Sequence, residues 1–348
     1  MKLFSFFLPQ FHFDKMNDLF WEKEFTDWVT TTRANSLFVG HEQPFLPSSD
    51  LGYYDLSKTF TLNKQANIAK KYGLDGFGIY HYFFDEKTKA LNIPIENLRK
   101  HTSIDIDYFI CWVNADWDKE WVGDYKTILY KQKYSPVIYE KLAEDACIHF
   151  QDSRYVRIEG KPLFYIHNPK YLVLDEFKER FMQISIKYGF NEVLFAAPQI
   201  HISAGQECEI DYALGYPPGD YPLRNVKLES EAYRNIEGGV FSYPQYAEKY
   251  SSFILSKLNE HNYVPTILSG WDNTPRYKER GFVFKDFNTY DFSSLTHSIL
   301  QSSIKKNKDF VMIKAWNEWA EGNVLEPSVK FDYEILESVK QVKREVGF

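Results

Sequence analysis

The amino-acid sequence predicts an α/β protein with the (β/α)8 architecture of a TIM barrel. Short β-rich runs alternate with helix-length segments along the chain, and polar or aromatic side chains follow every strand candidate. A doubly wound open sheet is the main alternative, but it would use only the strand ends near its switch point. The even distribution of these side chains favours the barrel, and we expect residues 1–348 to form one domain.

Eight apolar or β-rich segments are predicted to be the barrel strands. They are Leu3–Leu8, Gly76–Tyr80, Tyr108–Trp112, Leu163–Ile166, Val193–Ala197, Tyr212–Gly215, Pro265–Ser269 and Phe310–Ala315. Helical patterns lie between most of them, at Leu62–Tyr72, Val137–Phe150, Glu176–Tyr188, Gln245–Asn259 and Phe292–Lys305. Long loops follow the first and sixth strands, and the first loop contains an amphipathic segment, Leu19–Val29. Loops of this length in a compact domain are usually functional or mobile.

The side chains after the strands predict where a site lies. In chain order they are Gln10 and His12, His81 and Tyr82, Asn114 and Asp116, His167 and Asn168, Gln199 and His201, Tyr216, then Trp271, Asp272 and Asn273, and finally Glu318 and Glu321. In a barrel these carboxyl ends converge on one face, where active sites are found.

Composition excludes several classes of function. The net charge of -7 argues against nucleic acid as a partner, because a phosphate backbone calls for a basic surface. Three widely spaced cysteines, Cys111, Cys147 and Cys208, fit neither a disulfide framework nor a zinc site and indicate reduced thiols in the cytoplasm. The N-terminal apolar run is short and lacks a cleavage site, so we expect a strand rather than a signal peptide. No run approaches the roughly 18 apolar residues of a membrane span.

Motifs for cofactor binding are equally scarce. The sequence has no GxGxxG after its first strand and no P-loop, and its histidines and carboxylates lack metal-ligand spacing, so we expect no cofactor and no metal. Aromatic residues make up 18% of the chain, more than a core of this size needs. Flat apolar faces edged with polar groups suit sugar rings, which indicates an oligosaccharide or polysaccharide as the substrate.

Glu318 and Glu321 are the strongest catalytic candidates. They follow the last predicted strand and lie within the segment AWNEWAEGNVLEP, residues 315–327. On a helical turn, residues three apart are neighbours, roughly 5–6 Å apart at their β-carbons. Paired carboxylates in different surroundings are what glycoside chemistry uses, since one keeps its proton while the other stays ionised. The alternative is that they cap a helix or face solvent.

A series of motifs resembles a known family. LPQFH at 8–12, GHEQP at 40–44, LGYYDL at 51–56, YGLDGFGIYHYFF at 72–84, CWVNADW at 111–117, EGKPLFYIHNP at 159–169, GWDNTPR at 270–276 and AWNEWAEGNVLEP at 315–327 are similar to the WbsX-like family. That family occurs in bacterial surface-polysaccharide loci and is related to glycoside hydrolase family 99, the endo-α-mannosidases. The resemblance implies a barrel that acts on glycans without a metal.

The same resemblance implies roles for individual residues. The family 99 pattern NEWxEG falls on residues 317–322, which would make Glu318 the base that deprotonates a sugar 2-hydroxyl and Glu321 the general acid/base. The 2-hydroxyl would attack the anomeric carbon to give a 1,2-anhydro sugar, with net retention. We expect substrate contacts from the strand ends and motifs, namely His12, Tyr54, Tyr80, His81, Tyr82, Trp112, Asn114, Trp271, Asp272, Asn273, Arg276, Trp316, Asn317 and Trp319.

The sequence departs from the family pattern after the third strand. Relatives tend to read WANENW there, whereas this chain has Ala115 at the acidic position and Asp116 after it. The substrate is therefore expected to differ from that of the relatives. Three hypotheses remain open: a retaining glycosidase for α-linked, mannose-like residues, a glycosyltransferase of O-antigen or capsular polysaccharide assembly, and a catalytically silent glycan-binding barrel.

Overall fold

The predicted (β/α)8 barrel is confirmed. A computed structural model describes residues 1–120, 124–260 and 262–348, except the side chains of residues 124 and 125. The barrel strands are β1 (Lys2–Phe7), β2 (Gly76–Phe83), β3 (Asp107–Trp112), β4 (Lys161–Ile166), β5 (Leu194–Pro198), β6 (Tyr212–Leu214), β7 (Tyr263–Val264 and Thr266–Leu268) and β8 (Phe310–Lys314). All neighbours in this ring pair in parallel, and β1 lies between β2 and β8.

The ring closes through β7, which Pro265 divides into two short segments. Tyr263–Val264 pairs with β6, and Thr266–Leu268 pairs with β8. Proline has no N–H to donate to a ladder, but its carbonyl still accepts a hydrogen bond from the Met312 N–H at 3.0 Å. One interrupted strand therefore joins both edges of the sheet, and the carboxyl ends of all barrel strands share one face.

Helices surround the barrel and also lie in its loops. They are α1 (Lys15–Phe20), α2 (Asp27–Thr32), α3 (Thr59–Lys71), α4 (Ile93–Lys100), α5 (Pro136–Phe150), α6 (Leu174–Lys187), α7 (Tyr243–Lys257), α8 (Thr274–Tyr277), α9 (Thr289–Lys305) and α10 (Glu334–Glu345). Within the described ranges, none of the helices is both long and apolar enough to cross a membrane.

The amphipathic segment Leu19–Val29 is not one continuous helix. α1 ends at Phe20, Glu24 adopts a left-handed φ of 64°, and α2 begins after Thr26. The side chain of Asp18 accepts a hydrogen bond from the Glu24 N–H at 2.6 Å, which stabilises the turn between the two helices. Apolar spacing did not show this break because the local hydrogen bond competes with helix continuation.

Residues of the barrel strands alternate between the barrel interior and the layer under the helices. Phe6 packs inside the barrel against Tyr80 and Tyr165, each with ring centroids 5.6 Å apart. One residue along from Tyr80, His81 faces outward, and Trp112 faces outward to stack on Phe177 of α6 at 5.7 Å. The period of two along each strand thus decides which strand-end side chains can reach a central cleft.

Two of the loops at the carboxyl ends of the strands are joined by a small parallel sheet. Val240–Ser242, which ends the long loop after β6, pairs with Val283–Lys285 in the loop after β7. A further hydrogen bond joins the Phe284 N–H to the Trp271 carbonyl at 2.8 Å. These contacts fix the position of Trp271 beside the end of β8.

Candidate active site

A tight hairpin follows β8 and positions both glutamates. Asn317–Glu318 pairs antiparallel with Asn323–Val324, and Trp319–Glu321 forms a single 3-10 turn between them. Gly322 closes the turn in the left-handed region at φ 58°, and a β-carbon there would lie 2.9 Å from the Asp272 nitrogen. Because only glycine fits this close approach, Gly322 ends the turn directly after Glu321 and returns the chain to the second strand of the hairpin.

A cleft of about 340 Å³ opens at the carboxyl ends of the barrel strands. Its lining combines aromatic, imidazole, ammonium and carboxyl groups from six different strand ends. The lining residues are Tyr80, Tyr82, Val113, His167, Tyr216, Pro218, Gly219, Trp271, Phe282, Lys314, Glu318 and Glu321. Trp271 stacks on Phe282 with ring centroids 5.4 Å apart and planes 17° apart, which presents an apolar face to the cleft.

Arg276 lies behind the two glutamates and contacts both. Its Nη1 donates to Glu321 Oε1 at 2.6 Å, and its Nη2 lies 3.5 Å from Glu318 Oε2. The same Nη2 donates to Asp27 Oδ2 of α2 at 3.0 Å. The guanidinium is buried, and so is Asp27, which is fully inaccessible. One cation thus holds three carboxyl groups in fixed orientations.

The electrostatics of this cluster favour a retained proton. Burial and the neighbouring Glu321 raise the pKa of Glu318 to about 8, although Arg276 and Lys314 oppose the shift. Burial likewise raises the pKa of Asp27, with Arg276 acting in the opposite direction. Since the buried carboxyl groups outnumber the guanidinium beside them, the cluster favours a protonated carboxyl at neutral pH.

Lys314 is a cleft residue that sequence reasoning missed. It is the last residue of β8 and only 4% exposed, and its Nζ lies 4.4 Å from the Tyr216 ring centroid and 4.8 Å from that of Trp271. Burial alone would lower the pKa of Lys314, but Tyr216, Glu321, Glu318 and Asp220 together raise it above its ordinary value. The available signal was a lysine inside an otherwise apolar strand, FVMIK.

Four predicted residues stabilise the hairpin instead of lining the cleft. Asn317 accepts from the Leu8 N–H at 2.7 Å and donates back to the Leu8 carbonyl at 3.0 Å, which joins the ends of β1 and β8. Tyr54 and Trp319 each donate to Glu326 Oε2 at 2.7 Å. Trp316 is fully buried and packs on Phe77 at 5.3 Å. These side chains stabilise the backbone of the hairpin that contains Glu318 and Glu321.

Three other predicted residues face away from the cleft because of strand alternation or pairing between loops. His81 donates from Nε2 to Asp145 Oδ2 of α5 at 2.8 Å. Trp112 donates from Nε1 to the Phe83 carbonyl at 3.0 Å. Asn114 exchanges two hydrogen bonds with the backbone of Asn168, at 2.7 and 2.8 Å, and so fastens the end of β3 to that of β4.

The remaining predicted residues also serve local structure. Asp272 accepts hydrogen bonds from His41 Nε2 at 2.7 Å and Gln43 Nε2 at 2.6 Å. Asn273 accepts from the Phe282 N–H at 2.8 Å. Buried His12 bonds the Pro9 carbonyl through Nδ1 at 2.8 Å. Of the predicted binding residues, the structure therefore brings Tyr80, Tyr82 and Trp271 into the cleft with Glu318 and Glu321, and it places Arg276 directly behind them.

The loop that departs from the family pattern also lies at the cleft edge. Val113 lines the cleft, whereas Asp116 accepts a hydrogen bond from the Gln132 N–H at 2.7 Å. Asp116 is thus engaged in holding its own loop. Asp27 is the other residue that sequence reasoning missed, and no strand-end signal could have found it because it lies on a helix of the first long loop.

Comparisons with known proteins agree with the fold. The family model described as Glycosyltransferase WbsX matches residues 3–339. An uncharacterized protein WxcX of Xanthomonas campestris pv. campestris strain B100 is 30% identical over 97% of this chain, and a second WxcX, from strain ATCC 33913, is 29% identical. The chain spans about half the length of these curated relatives, 49% in each case.

Solved structures with a similar fold include two kinds of protein. The GH99 endo-alpha-mannosidase from Bacteroides thetaiotaomicron, solved with BIS-TRIS-Propane, gives a TM-score of 0.64 at 15% identity and covers 99% of this chain and 97% of its own. A protein described as glycoside hydrolase-like gives a TM-score of 0.62 at 14% identity over 98% of this chain and 93% of its own. At these identities the likeness shows the fold alone.

Proposed function

Because the chain belongs to the WbsX glycosyltransferase family, we propose that it is a carbohydrate-active enzyme that cleaves an α-linked, mannose-like residue with retention. The substrate is a bacterial surface polysaccharide or its precursor. The observation that carries the proposal is the pair Glu318 and Glu321, which line one aromatic cleft and share Arg276. Paired carboxylates in unlike surroundings are the machinery of glycoside hydrolysis.

Glu318 is assigned as the base. Its side chain is 6% exposed, against 16% for Glu321. The pair retains one proton near neutral pH, and the reactive form is the one in which Glu321 carries this proton and Glu318 is ionised. In that form the raised pKa of Glu318 makes it a strong proton acceptor. A base whose pKa lies near the working pH is the most effective one. In the first step Glu318 takes the proton of the sugar 2-hydroxyl, O2 attacks the anomeric carbon, and the leaving oxygen departs with the proton of Glu321.

Glu321 is assigned as the general acid and then as the base of the second step. The more exposed of the two carboxyl groups has room for the leaving oxygen and for the water that replaces it. Glu321 takes a proton from this water as it opens the 1,2-anhydro sugar, and Glu318 returns its proton to O2. Two inversions at the anomeric carbon give net retention, and both residues end in their starting protonation states.

The test is release of the aglycone from aryl α-mannosides. We expect turnover by the wild type, with retention by proton NMR, and losses of roughly 10²- to 10⁴-fold in Glu318→Gln and Glu321→Gln. The exposed Glu279→Gln serves as the matched control and should keep full activity. A 2-deoxy substrate should not turn over. Turnover of the 2-deoxy substrate would rule out the anhydro route, and saturable binding without any release would indicate a glycan-binding barrel.

Leaving-group dependence separates the two roles. Loss of an acid matters little when the leaving group is already acidic, so Glu321→Gln should lose much less with a dinitrophenyl glycoside than with a methyl glycoside. Glu318→Gln should lose similar factors with both, since it acts on the 2-hydroxyl. The reverse pattern would exchange the assignments.

The second candidate is a glycosyltransferase of polysaccharide assembly, which the description of the matching family favours. The sequence lacks a P-loop, and its two DxD triplets, residues 105–107 and 116–118, do not line the cleft, so a lipid-linked donor is the chemistry to test. Sugar transfer from such a donor to an oligosaccharide, lost in both Gln variants, would establish the transferase and overturn hydrolysis.

A further inference from the structure

One wall of the cleft carries a positive charge that takes no direct part in the proposed proton transfers. Lys314 from β8 lies against Tyr216, and two imidazoles adjoin the same tyrosine, His167 at 5.6 Å and His201 at 5.1 Å between ring centroids. These residues come from the ends of four different strands, β4, β5, β6 and β8, and share no secondary-structure element. Only closure of the barrel brings them together.

The Lys314 ammonium is charged, and the carboxyl groups that favour its charge lie beyond ion-pair distance within the described residues. Among the residues that the structure describes, no carboxylate forms an ion pair with Lys314, and its neighbours are the rings of Tyr216 and Trp271. Glu318, Glu321 and Asp220 favour the charged form of Lys314 from a distance, but none of them contacts its Nζ in place of the water that burial removes. The position therefore calls for an anion that arrives from the cleft.

Arg276 differs from Lys314 because carboxyl groups of the protein contact it directly. It is equally buried, but it contacts Asp27, Glu321 and Glu318 at 3.0, 2.6 and 3.5 Å, and so its charge is matched within the protein. The catalytic pair already has this cation. Lys314 is not needed to hold either glutamate by direct contact, and it lines the cleft instead.

Further polar groups on this wall lack protein partners. Within the described part of the chain, buried His167 Nδ1 and Trp271 Nε1 accept or donate no hydrogen bond. Burial, His201, Lys314 and Lys170 lower the pKa of His167 to about 3, so its imidazole is neutral and offers one N–H. A ligand oxygen at the Lys314 ammonium would thus lie near two ring nitrogens whose hydrogen-bonding capacity the described residues leave unused.

We propose that the Lys314 wall binds the carboxylate of an acidic sugar, so that the substrate contains a uronic acid residue. The inference rests on the proposed function, because it names the substrate class of the same cleft. A monovalent carboxylate matches one buried ammonium in charge. A phosphate ester carries up to two charges and is typically held by an arginine fork or several cations, whereas Lys314 is the single buried cation on this wall among the described residues.

The experiment compares binding of methyl α-mannuronoside, its neutral methyl ester and methyl α-mannoside to the Glu321→Gln protein by calorimetry. A hydrogen bond to a charged group is worth about 1.5–3 kcal/mol, so we expect the acid to bind roughly 10- to 100-fold more tightly than either neutral glycoside. Adding Lys314→Met should abolish the preference. Adding Lys170→Met, which removes an exposed charge near the same wall, should preserve it.

Equal binding of the three glycosides, or a preference that survives Lys314→Met, would overturn the inference. Tighter binding of mannose 6-phosphate than of the uronide would replace the carboxylate with a phosphate. If the Lys314→Met protein does not fold, the affinities of the acid and its methyl ester for the Glu321→Gln protein still test the inference. Preference for the acid without glycoside cleavage would refute the proposed function alone, and cleavage of neutral mannosides without such preference would refute this inference alone.

Discussion

The guanidinium of Arg276 lies 2.6 Å from the carboxylate of Glu321. Through its other amino group it also reaches Asp27, a residue 249 positions away on the first long loop. The pair Glu318 and Glu321 is thus tied to an outer loop by one buried cation. This arrangement links the position of the two glutamates to the stability of the loops around them, and each link can be tested.

Arg276→Met should destabilise the protein strongly. Removing the cation leaves buried Asp27 and Glu318 and half-buried Glu321 without the guanidinium that contacts them, and breaking a buried ion pair typically costs about 3–5 kcal/mol. Urea unfolding measures the loss. Adding Asp27→Asn should recover part of it, because one of the stranded carboxylates is then neutral. The exposed Arg224→Met is the matched control and should change the free energy of unfolding little, and an Arg276→Met protein as stable as this control would contradict the prediction.

The raised pKa of Glu318 predicts a pH-dependent difference between the wild type and Glu318→Gln. In the folded protein the pKa is about 8, against an ordinary 4.5, so the folded state binds more protons than the unfolded state between these values. The contribution of this group to stability is complete below about pH 4.5 and is lost as the pH rises through about 8. Glu318→Gln stays neutral throughout and should therefore gain stability relative to the wild type over this window.

Urea unfolding of both proteins between about pH 5 and pH 9 measures that difference. The Glu279→Gln protein, changed at an exposed glutamate, should run parallel to the wild type. In Glu321→Gln the pKa of Glu318 should fall, since a neighbouring negative charge is removed, and carboxyl NMR of Glu318 would show the shift. Parallel stability curves for Glu318→Gln and the wild type would refute the raised pKa.

Glu326 should tolerate an amide but not truncation. Its carboxyl group accepts from Tyr54 Oη, Trp319 Nε1 and Gln65 Nε2 at 2.7, 2.7 and 2.6 Å. In Glu326→Ala three buried donors lose their acceptor, and each loss costs about 1–3 kcal/mol. The free energy of unfolding should therefore fall by several kcal/mol. In Glu326→Gln the amide can face Gln65, whose unpartnered Oε1 would turn to accept, so the loss should be small. Equal losses in denaturant unfolding would contradict this account of the network.

His81 and Tyr82 provide a matched pair on one strand. Tyr82 lines the cleft, whereas His81 faces outward and bonds Asp145. His81→Phe should lower the free energy of unfolding by about 1–3 kcal/mol, because Asp145 loses a buried donor, while kcat/KM for an α-mannoside changes less than about twofold. Tyr82→Phe should do the opposite, with a larger effect on kcat/KM than on unfolding. A catalytic defect in His81→Phe would show that this histidine reaches the substrate.

The barrel could be predicted because its evidence is local. A short apolar run predicts each strand, as Phe310 to Ile313 does for the last one. Polar groups follow the carboxyl end of each strand, and this pattern does not depend on which strands become neighbours. Glu318 and Glu321 were identifiable for the same reason, since a turn after a buried strand suffices to place them together. Period-two alternation would also have separated Tyr80 and Tyr82 from His81, had the strand been extended beyond Tyr80 to its true end at Phe83.

The tertiary structure alone decided the electrostatics of the site. Asp27 and Arg276 lie on different loops, and Lys314 meets Tyr216 and Trp271 only because the interrupted strand β7 closes the ring. The sequence by itself determined the strands, the acid pair and the aromatic surroundings. Which charges are neutralised within the protein and which remain open to a ligand depends on distances between remote segments, and those distances exist only after the barrel has closed.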